Sequence, residues 1–371
     1  MVHAAGNKMT MAMGRSDVAE ANRIFQTAQV FMMVVCGSLA VLMTPAALFV
    51  PLSDFISTDQ RIALAALLLE ILVAMFGGLY EAAFKATGRY AMGTLLANAV
   101  RLGEWAGYLL GLVLFGNFAG VAICGLLART MGTGIGVILA QSGDHGLIWG
   151  TRLAQKSELL IMIRPAVSFM AFPLVNALSF QGVTLLVGAL AGTTTVALFT
   201  TYRTLARVAV QLTGMFSHAL WPEFARLFGR GGPQAVEKLY RHSALLGAAQ
   251  ALALSIVLYF VSPWLLQVWT HGQIAFVPGL MAWMLAYAAV SGFSHIPRVL
   301  LLSTNQHVGL AGWSLVGGAF SLILAWAFGK LWQIDGIVAS LVVSEIYVAA
   351  ICVYFAYRLF HSASTLRESL P

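Results

Sequence analysis

The chain has 371 residues, of which 60% are hydrophobic and only 9% charged, and its mean hydropathy is +0.84. Because soluble domains carry about 25% charged residues, this composition excludes a soluble globular protein and indicates an all-α polytopic membrane protein. The formal net charge of +7 does not by itself indicate nucleic-acid binding, since such an excess sets membrane topology and contacts anionic lipid headgroups.

The chain begins with a polar segment, residues 1–27, which we interpret as a cytoplasmic amphipathic lead-in. The apolar runs that follow are long enough to cross a bilayer, which takes about 20 residues. They predict about ten transmembrane helices: an incomplete N-terminal lobe of four over 28–140, and a C-terminal lobe of six over 166–359. Residues 141–165 form a cytoplasmic connector and residues 360–371 a cytoplasmic tail. The runs lie near 28–51, 62–80, 92–115, 117–140, 166–190, 194–221, 243–262, 276–300, 308–329 and 335–359.

The two lobes share an internal repeat. Thr44-Pro45 is matched by Ser262-Pro263, and the stretch that ends at Gly88 is matched by the one that ends at Asn305. Glycine and asparagine are the residue types that tolerate a left-handed conformation after a helix. A repeat of this length predicts parallel, pseudo-symmetric lobes related by an axis along the membrane normal.

The cations predict the orientation of the chain. If the N-terminal segment is cytoplasmic, only Arg61 and Lys330 face outward. Positively charged loops stay on the cytoplasmic side, so we expect both termini to be cytoplasmic.

Recognised catalytic motifs are absent from the sequence. It contains no GxxxxGK[ST] phosphate loop, no HExxH helix and no Gly-x-Ser-x-Gly elbow, and the short outer loops leave no room for a catalytic domain. Cys36, Cys124 and Cys352 lie in apolar runs without a CxxC pattern, so neither a disulfide framework nor a metal site is indicated. We therefore predict no enzymatic activity, no catalytic residue, no cofactor and no metal.

Charged residues inside the apolar runs are the candidate functional residues. A charge near the bilayer centre costs about 2.5 to 3.5 kcal/mol, so it normally faces a wet cavity or a partner. Arg203 and Arg207 are four positions apart, so they project from one helix face and can grip one anion together. Arginine suits bidentate capture of phosphate oxygens, which predicts a phosphate-bearing substrate. The alternative is that both pair with glutamates or extend toward the cytoplasmic surface.

Five further intramembrane positions are candidates. Arg101 and Glu104 have the spacing of an intrahelical ion pair that would hold the lobe together, with substrate contact by Arg101 as the alternative. Arg129 has no partner on its own helix, so it either binds substrate or reaches the carbonyls of a neighbouring helix. Glu70, Glu104 and Glu345 are candidates for coupling transport to a proton or sodium gradient, unless each balances a nearby arginine.

Proline and glycine positions predict local backbone features. Pro173 lies well inside the fifth run, where it kinks the helix and is a candidate hinge. Gly107 with Gly111 is typical of close helix packing in membranes.

Residues 164–232 resemble the opening hairpin of the second lobe in polysaccharide flippases of the multidrug/oligosaccharidyl-lipid/polysaccharide exporter superfamily. The resemblance is carried by Arg164-Pro165, the turn from Gly188 to Gly192, the helix with Tyr202-Arg203, and Leu220-Trp221-Pro222-Glu223 followed by a basic loop. It extends more weakly over nearly the whole chain. The first two helices of the family have no counterpart here.

The resemblance implies two lobes that rock to give alternating access to a central cavity. In the O-antigen and teichoic-acid branch this cavity is cationic and receives the diphosphate and glycan of a polyprenyl-linked oligosaccharide. Arg203 and Arg207 would then contact the headgroup. We therefore expect a monomeric flippase of the bacterial inner membrane that exports a lipid-linked anionic oligosaccharide for surface polysaccharide, among membrane lipids and other glycan-assembly proteins.

Two alternatives stay open. A multidrug or organic-cation antiporter of the same superfamily would need a net acidic cavity, which the intramembrane arginines disfavour. A non-transporting, truncated paralogue that serves as a membrane scaffold would not respond to charge reversal at Arg203.

Overall fold

A computed structural model describes residues 1–49, 57–142 and 146–368, with side chains up to residue 361. The end of the predicted span 28–51, part of the connector 141–165 and the end of the tail 360–371 lie outside these residues. The described chain is almost entirely helical and divides into two compact units, residues 1–163 and residues 164–371. The all-α membrane fold predicted from the sequence is confirmed.

Unit 1 contains five helices along its described residues. They are α1 (Val2–Gly14), α2 (Val18–Phe49), α3 (Thr58–Ala86), α4 (Tyr90–Phe115) and α5 (Phe118–Gln141). Helix α1 packs against both α2 and α3, and its Ala4, Ala5 and Met9 are fully buried. The segment expected to be an amphipathic lead-in, residues 1–27, therefore consists of α1 and the start of α2, both packed inside the unit.

Helix α6 (Lys156–Phe169) begins in unit 1 and ends in unit 2. The further elements of unit 2 are α7 (Ala171–Ala177), a π-helical turn (Leu178–Gly182), α8 (Val183–Ala219), α9 (Trp221–Trp269), α10 (Pro278–Ser303) and α11 (Val308–Glu368). The backbone leaves helical geometry at Gly192 within α8, at Gly231 and Gly232 within α9, and at Trp332 and Gln333 within α11. Each break divides a long helix into two lengths.

Six continuous helical stretches of the described residues are long and apolar enough to span a membrane. Two of them, of 114 and 54 residues, exceed the roughly 20 residues of one crossing. Divided at the breaks above, unit 2 supplies six membrane-length helices. Unit 1 supplies α2, α3 and α5 from the six apolar stretches and, by its length of 26 residues alone, α4. The predicted arrangement of four plus six is therefore confirmed among the described residues, although the helix bounds differ from those of the apolar runs.

The repeat between the lobes is visible in the backbone. Gly88 has a φ of 79° and Asn305 a φ of 58°, so both adopt the left-handed conformation predicted for them. The hydrogen bonds around them also match: Arg89 N donates to Phe84 O, and Gln306 N donates to Leu301 O. A second pair of left-handed residues, Ser16 and Gly232, precedes α2 and the second length of α9. Units 1 and 2 thus place equivalent turns at equivalent positions.

Large apolar side chains cover the outside of both units. Val41 and Leu95 of unit 1 are 73% and 72% exposed, and Leu185 of unit 2 is 74% exposed. A soluble protein rarely exposes a continuous apolar surface, whereas lipid contact favours it. The buried core contains aromatic residues instead, including Tyr80 and Phe84 in unit 1 and Phe199 and Tyr202 in unit 2.

Gly107 and Gly111 allow α4 and α5 to pack closely. A Cβ atom on Gly107 would lie 2.7 Å from the carbonyl oxygen of Cys124, and one on Gly111 would lie 2.6 Å from that of Gly120. Any larger residue would force the helices apart. The close packing predicted from the glycine spacing is confirmed.

The connector is attached to α2 by polar side chains. Asn22 donates to Gly146 O and accepts from Ile148 N, while Gln26 donates to Ile148 O and accepts from Leu153 N. Gln29 and Thr27 accept from Gly150 N and Gln155 N. Buried amide groups of a loop need such partners. Residues 146–155 are therefore part of unit 1 and not a free linker.

Pro173 lies one turn beyond a helix break. Helix α6 ends at Phe169, four residues before Pro173, and the chain resumes as α7. Proline lacks an N–H group and its ring clashes with the carbonyl four residues earlier, which explains why α6 ends there. The kink is present, and the role of Pro173 as a hinge stays a prediction.

Candidate functional site

Arg203 is buried within unit 2, where other residues of the unit hold its guanidinium group. It is only 7% exposed. Nη1 donates to Phe180 O at 3.0 Å and Nη2 donates to Thr184 Oγ1 at 2.9 Å. The guanidinium carbon lies 3.7 Å from the centroid of the Phe180 ring and 4.7 Å from that of Phe199. These contacts hold the Arg203 side chain between α8 and the π-helical turn.

The π-helical turn presents the carbonyl that Arg203 uses. Phe180 is inside this turn, and a π-helical turn alters the regular pattern of backbone hydrogen bonds and is frequent at functional sites. Phe180 O accepts hydrogen bonds from both Arg203 and Thr184 Oγ1. The sequence gives no simple signal for this turn, because it contains neither proline nor a charged residue.

Arg207 is one turn further along α8 and is exposed. Its guanidinium carbon lies 4.7 Å from the same Phe180 ring. Phe180 therefore contacts both guanidinium groups, as the spacing of four residues predicted for one helix face. Among the described residues, neither Arg203 nor Arg207 forms an ion pair with a carboxylate. Within unit 2, the predicted alternative of pairing with Glu345 is therefore not found.

A polar network in unit 1 joins helices α3, α4 and α5. Arg129 Nη1 forms an ion pair with Glu104 Oε2 at 2.7 Å. The Tyr108 hydroxyl donates to Glu70 Oε1 at 2.5 Å and lies 3.5 Å from Glu104 Oε1. Glu70 is 5% exposed, and its Oε2 has no hydrogen-bond partner among the described residues.

The prediction of an ion pair between Arg101 and Glu104 is wrong. Glu104 turns toward α5 and pairs with Arg129, while Arg101 is exposed and makes no ion pair among the described residues. The predicted contact of Arg129 with backbone carbonyls of a neighbouring helix is also corrected, because Arg129 pairs with the Glu104 carboxylate of that helix. The close approach of α4 and α5 at Gly107 brings the two side chains within reach.

Arg101 and Arg129 both line a cavity of unit 1. The cavity has a volume of about 240 Å³, and polar side chains of α3, α4 and α5 form much of its wall. Glu81, Tyr90, Thr94 and Asn98 line it together with the two arginines, Gly93 and Ala97. Two of the four predicted substrate-binding arginines therefore share one cavity, and the other two share Phe180.

Glu345 belongs to a different environment in unit 2. Its Oε1 accepts a hydrogen bond from Ser294 Oγ at 3.1 Å, and its charge interacts with that of Arg298. This surrounding supports the alternative considered for Glu345, in which the carboxylate balances an arginine. Its role in ion coupling stays a prediction.

The sequence analysis missed four polar residues of the cavity, Glu81, Tyr90, Thr94 and Asn98. Glu81 is one turn from Lys85 near the end of α3, so it was not distinguished from residues at the membrane surface. Asn98 carries no charge and was not considered among the intramembrane polar groups. The shared helix face of Tyr90, Thr94, Asn98 and Arg101, at spacings of three and four, is the signal that would have found it.

The fold matches that of solved membrane transporters. No protein-family model and no curated protein matches the sequence. A crystal structure of MATE in complex with MaL6 has a TM-score of 0.84 and 12% identity, and covers 99% of this chain and 85% of that one. The Vibrio cholerae MATE transporter VcmN in the bent form has a TM-score of 0.80 and 16% identity, with 97% and 84% covered. This chain has the fold of the MATE transporters.

A third solved structure with this fold is described as a member of a wider superfamily. It is the outward-facing conformation of a multidrug resistance MATE family transporter of the MOP superfamily, with a TM-score of 0.79 and 12% identity over 99% of this chain and 84% of that one. At such identities the likeness extends to the fold and not to individual side chains. In the MATE fold of this chain, the candidate polar residues sit on helices α3 to α5 of unit 1 and on α8 of unit 2.

Proposed function

We propose that this protein is a transporter of the MOP superfamily that moves a polyprenyl-diphosphate-linked oligosaccharide across the bacterial inner membrane by alternating access. The MATE fold of the chain supports the transporter class. The arginine pair of α8 supports the anionic substrate.

The observation that carries the proposal is the uncompensated charge on α8. Arg203 and Arg207 contact the same aromatic ring, and no carboxylate among the described residues of unit 2 pairs with either of them. Two adjacent cations in an apolar helix repel each other and are costly without a counter-ion. A diphosphate would supply the missing negative charge through bidentate hydrogen bonds.

The different burial of the two arginines supports a different role for each. Arg203 is buried and its Nη1 and Nη2 donate to Phe180 O and Thr184 Oγ1. We therefore assign Arg203 a positioning role, in which it holds Phe180 beside Arg207. Arg207 is exposed and has its hydrogen-bond donors available. We assign Arg207 as the residue that contacts the diphosphate directly.

The test is translocation in proteoliposomes that contain a fluorescent polyprenyl-diphosphate disaccharide. A membrane-impermeant reductant bleaches only the outer leaflet, so translocation appears as bleaching beyond that fraction. We expect the parent protein to translocate the lipid, Arg207→Glu to lose at least 90% of the rate, since charge reversal costs more than the roughly 1.4 kcal/mol of a tenfold change, and Arg207→Lys to retain part of it.

Arg230→Glu is the matched control. Arg230 is also an exposed arginine of unit 2, but it lies outside the membrane-length helices. Equal loss in Arg230→Glu and Arg207→Glu would show a general charge effect. Absence of translocation by well-folded parent protein would reject the flippase.

The second candidate is a multidrug or organic-cation antiporter. It is favoured by the fold neighbour described as a multidrug resistance MATE family transporter, and by the carboxylates of Glu70 and Glu81 in unit 1. Uptake of a fluorescent organic cation by the same proteoliposomes, unaffected by Arg207→Glu, would support this candidate instead.

A further inference from the structure

The cavity of unit 1 differs chemically from the arginine pair of α8. Its volume of about 240 Å³ is below the roughly 300 Å³ at which pockets for drug-sized ligands begin. It therefore suits one small ring and not a whole drug molecule or an oligosaccharide.

The polar groups of the cavity are available for a ligand. Among the described residues, Glu81, Tyr90, Asn98 and Arg101 make no side-chain hydrogen bond or ion pair to the protein. These four supply a carboxylate acceptor, a phenol hydroxyl, an amide that both donates and accepts, and a guanidinium donor. Glu81, Asn98 and Arg101 are exposed, and polar groups on membrane helices face water or a polar partner, so the cavity can accept a polar ligand.

The charges of the cavity balance. Arg129 is neutralised by Glu104 at 2.7 Å. Glu81 and Arg101 line the same cavity, so the formal charge of the remaining cation is balanced by a carboxylate of the same wall. A neutral cavity does not select a phosphate or a carboxylate, in contrast to the pair Arg203 and Arg207.

We propose that this cavity binds an uncharged sugar ring, which makes it a glycan subsite. Neighbouring hydroxyls of a sugar each donate and accept hydrogen bonds, and a carboxylate, an amide and a guanidinium group around a small cavity match that pattern. The inference rests on the proposed function in that the sugar would be one residue of the transported glycan. Binding of a free glycoside does not require translocation, so the two are tested separately.

The experiment is saturation-transfer NMR on the purified full chain in detergent, with methyl glucoside as the neutral probe. Glucuronic acid and glucosamine serve as the anionic and cationic probes of similar size. We expect methyl glucoside to bind, and both charged sugars to bind at least about tenfold more weakly.

Variants locate the binding site. Asn98→Ala and the double variant Glu81→Gln with Arg101→Gln are expected to weaken methyl glucoside binding by about tenfold or more, while both keep the formal charge of the cavity unchanged. Thr130→Val on α5 is the matched control, because the Thr130 hydroxyl donates to Leu126 O of its own helix and does not line the cavity. Thermal melting of every variant checks that it is folded.

Each outcome decides one question. Methyl glucoside binding that is unchanged in folded Asn98→Ala and in the double variant would overturn the subsite, as would equal binding of glucuronic acid. Loss of the subsite with Arg207-dependent translocation intact would leave the proposed flippase standing. Confirmed sugar binding without translocation of the lipid-linked disaccharide would reject the flippase and keep the subsite.

Discussion

At the residue scale, the position of Arg129 shows how a membrane helix compensates a buried charge. The ion pair of Arg129 with Glu104 has side chains that are only 13% and 17% exposed. Charges removed from water in this way depend on each other, because loss of one partner leaves the other desolvated and unpaired. Arg101 lies on the same helix as Glu104 but forms no ion pair among the described residues, so its stability does not depend on a paired carboxylate.

A double-mutant cycle tests this pairing. We expect Arg129→Gln to destabilise the protein by about 3 to 5 kcal/mol, and addition of Glu104→Gln to restore part of the loss because no lone charge remains. Arg101→Gln, as the control, should change stability by less than about 0.5 kcal/mol. Thermal melting followed by size-exclusion chromatography compares five proteins: the parent, Arg129→Gln, Glu104→Gln, the double variant and Arg101→Gln. A cost for Arg101→Gln equal to that for Arg129→Gln would contradict the pairing.

The role of Glu70 in ion coupling stays a prediction, which its surroundings make testable. Its Oε1 is held by Tyr108, and its buried Oε2 has no partner in the described chain. We expect Glu70→Gln to abolish the dependence of transport on a proton or sodium gradient, because the amide keeps the Tyr108 hydrogen bond but cannot bind a proton or balance a cation. Flux in proteoliposomes with and without each gradient is the measurement. Gradient dependence that persists in Glu70→Gln would exclude Glu70 from coupling.

At the element scale, short connections between helices are fixed by buried polar side chains. His307 is fully buried in the turn between α10 and α11, and its Nε2 lies 3.1 Å from Pro165 O. Its ring lies 4.0 Å from that of Phe169, measured between centroids. This one side chain therefore fixes the turn against α6.

His307 should make unit 2 sensitive to acid. Burial lowers the pKa of His307 below its usual value of 6.5, so the folded protein holds the neutral ring while the unfolded chain is protonated below pH 6.5. The stabilisation is complete above pH 6.5 and is lost as the pH falls through the folded-state pKa. We expect the melting temperature of the parent to fall more steeply between pH 7 and pH 5 than that of His307→Gln. Parallel pH profiles would refute this role.

The connector should become mobile when its partners on α2 are removed. Asn22 bonds both Gly146 and Ile148, whereas Gln29 bonds Gly150 alone. We expect Asn22→Ala to speed amide hydrogen exchange over 146–150 by about tenfold, which corresponds to about 1.4 kcal/mol. Gln29→Ala should affect Gly150 only. Exchange that is unchanged in Asn22→Ala would mean that the connector is held by other contacts.

At the scale of the whole molecule, a repeated unit sets equivalent turns in both halves of the chain. The pairs Gly88 with Asn305 and Ser16 with Gly232 have left-handed backbones at matching places. Such residues end or begin a helix wherever they occur, so they fix the lengths of the helices on both sides. The resulting fold is the one seen in MATE transporters.

The predicted orientation of the whole chain can be measured with single cysteines. In a protein whose Cys36, Cys124 and Cys352 are replaced by alanine, we expect Lys330→Cys to react with an impermeant maleimide added to intact cells. Arg230→Cys should react only after the cells are permeabilised, because positively charged loops stay inside. Labelling of Arg230→Cys but not Lys330→Cys in intact cells would show that the orientation is opposite to the predicted one.

The sequence by itself determined the membrane class, the four and six helices and the left-handed turns at Gly88 and Asn305, because transfer into lipid and backbone conformation depend on local composition. The tertiary structure alone decided which charges meet. Glu104 has Arg101 three positions away but pairs with Arg129, since the glycines of α4 bring α5 close, and sequence spacing describes neighbours within one helix only. The same reason explains why Arg203 joins Phe180 and why Asn98 joins a cavity with Glu81: these contacts between helices exist only after packing.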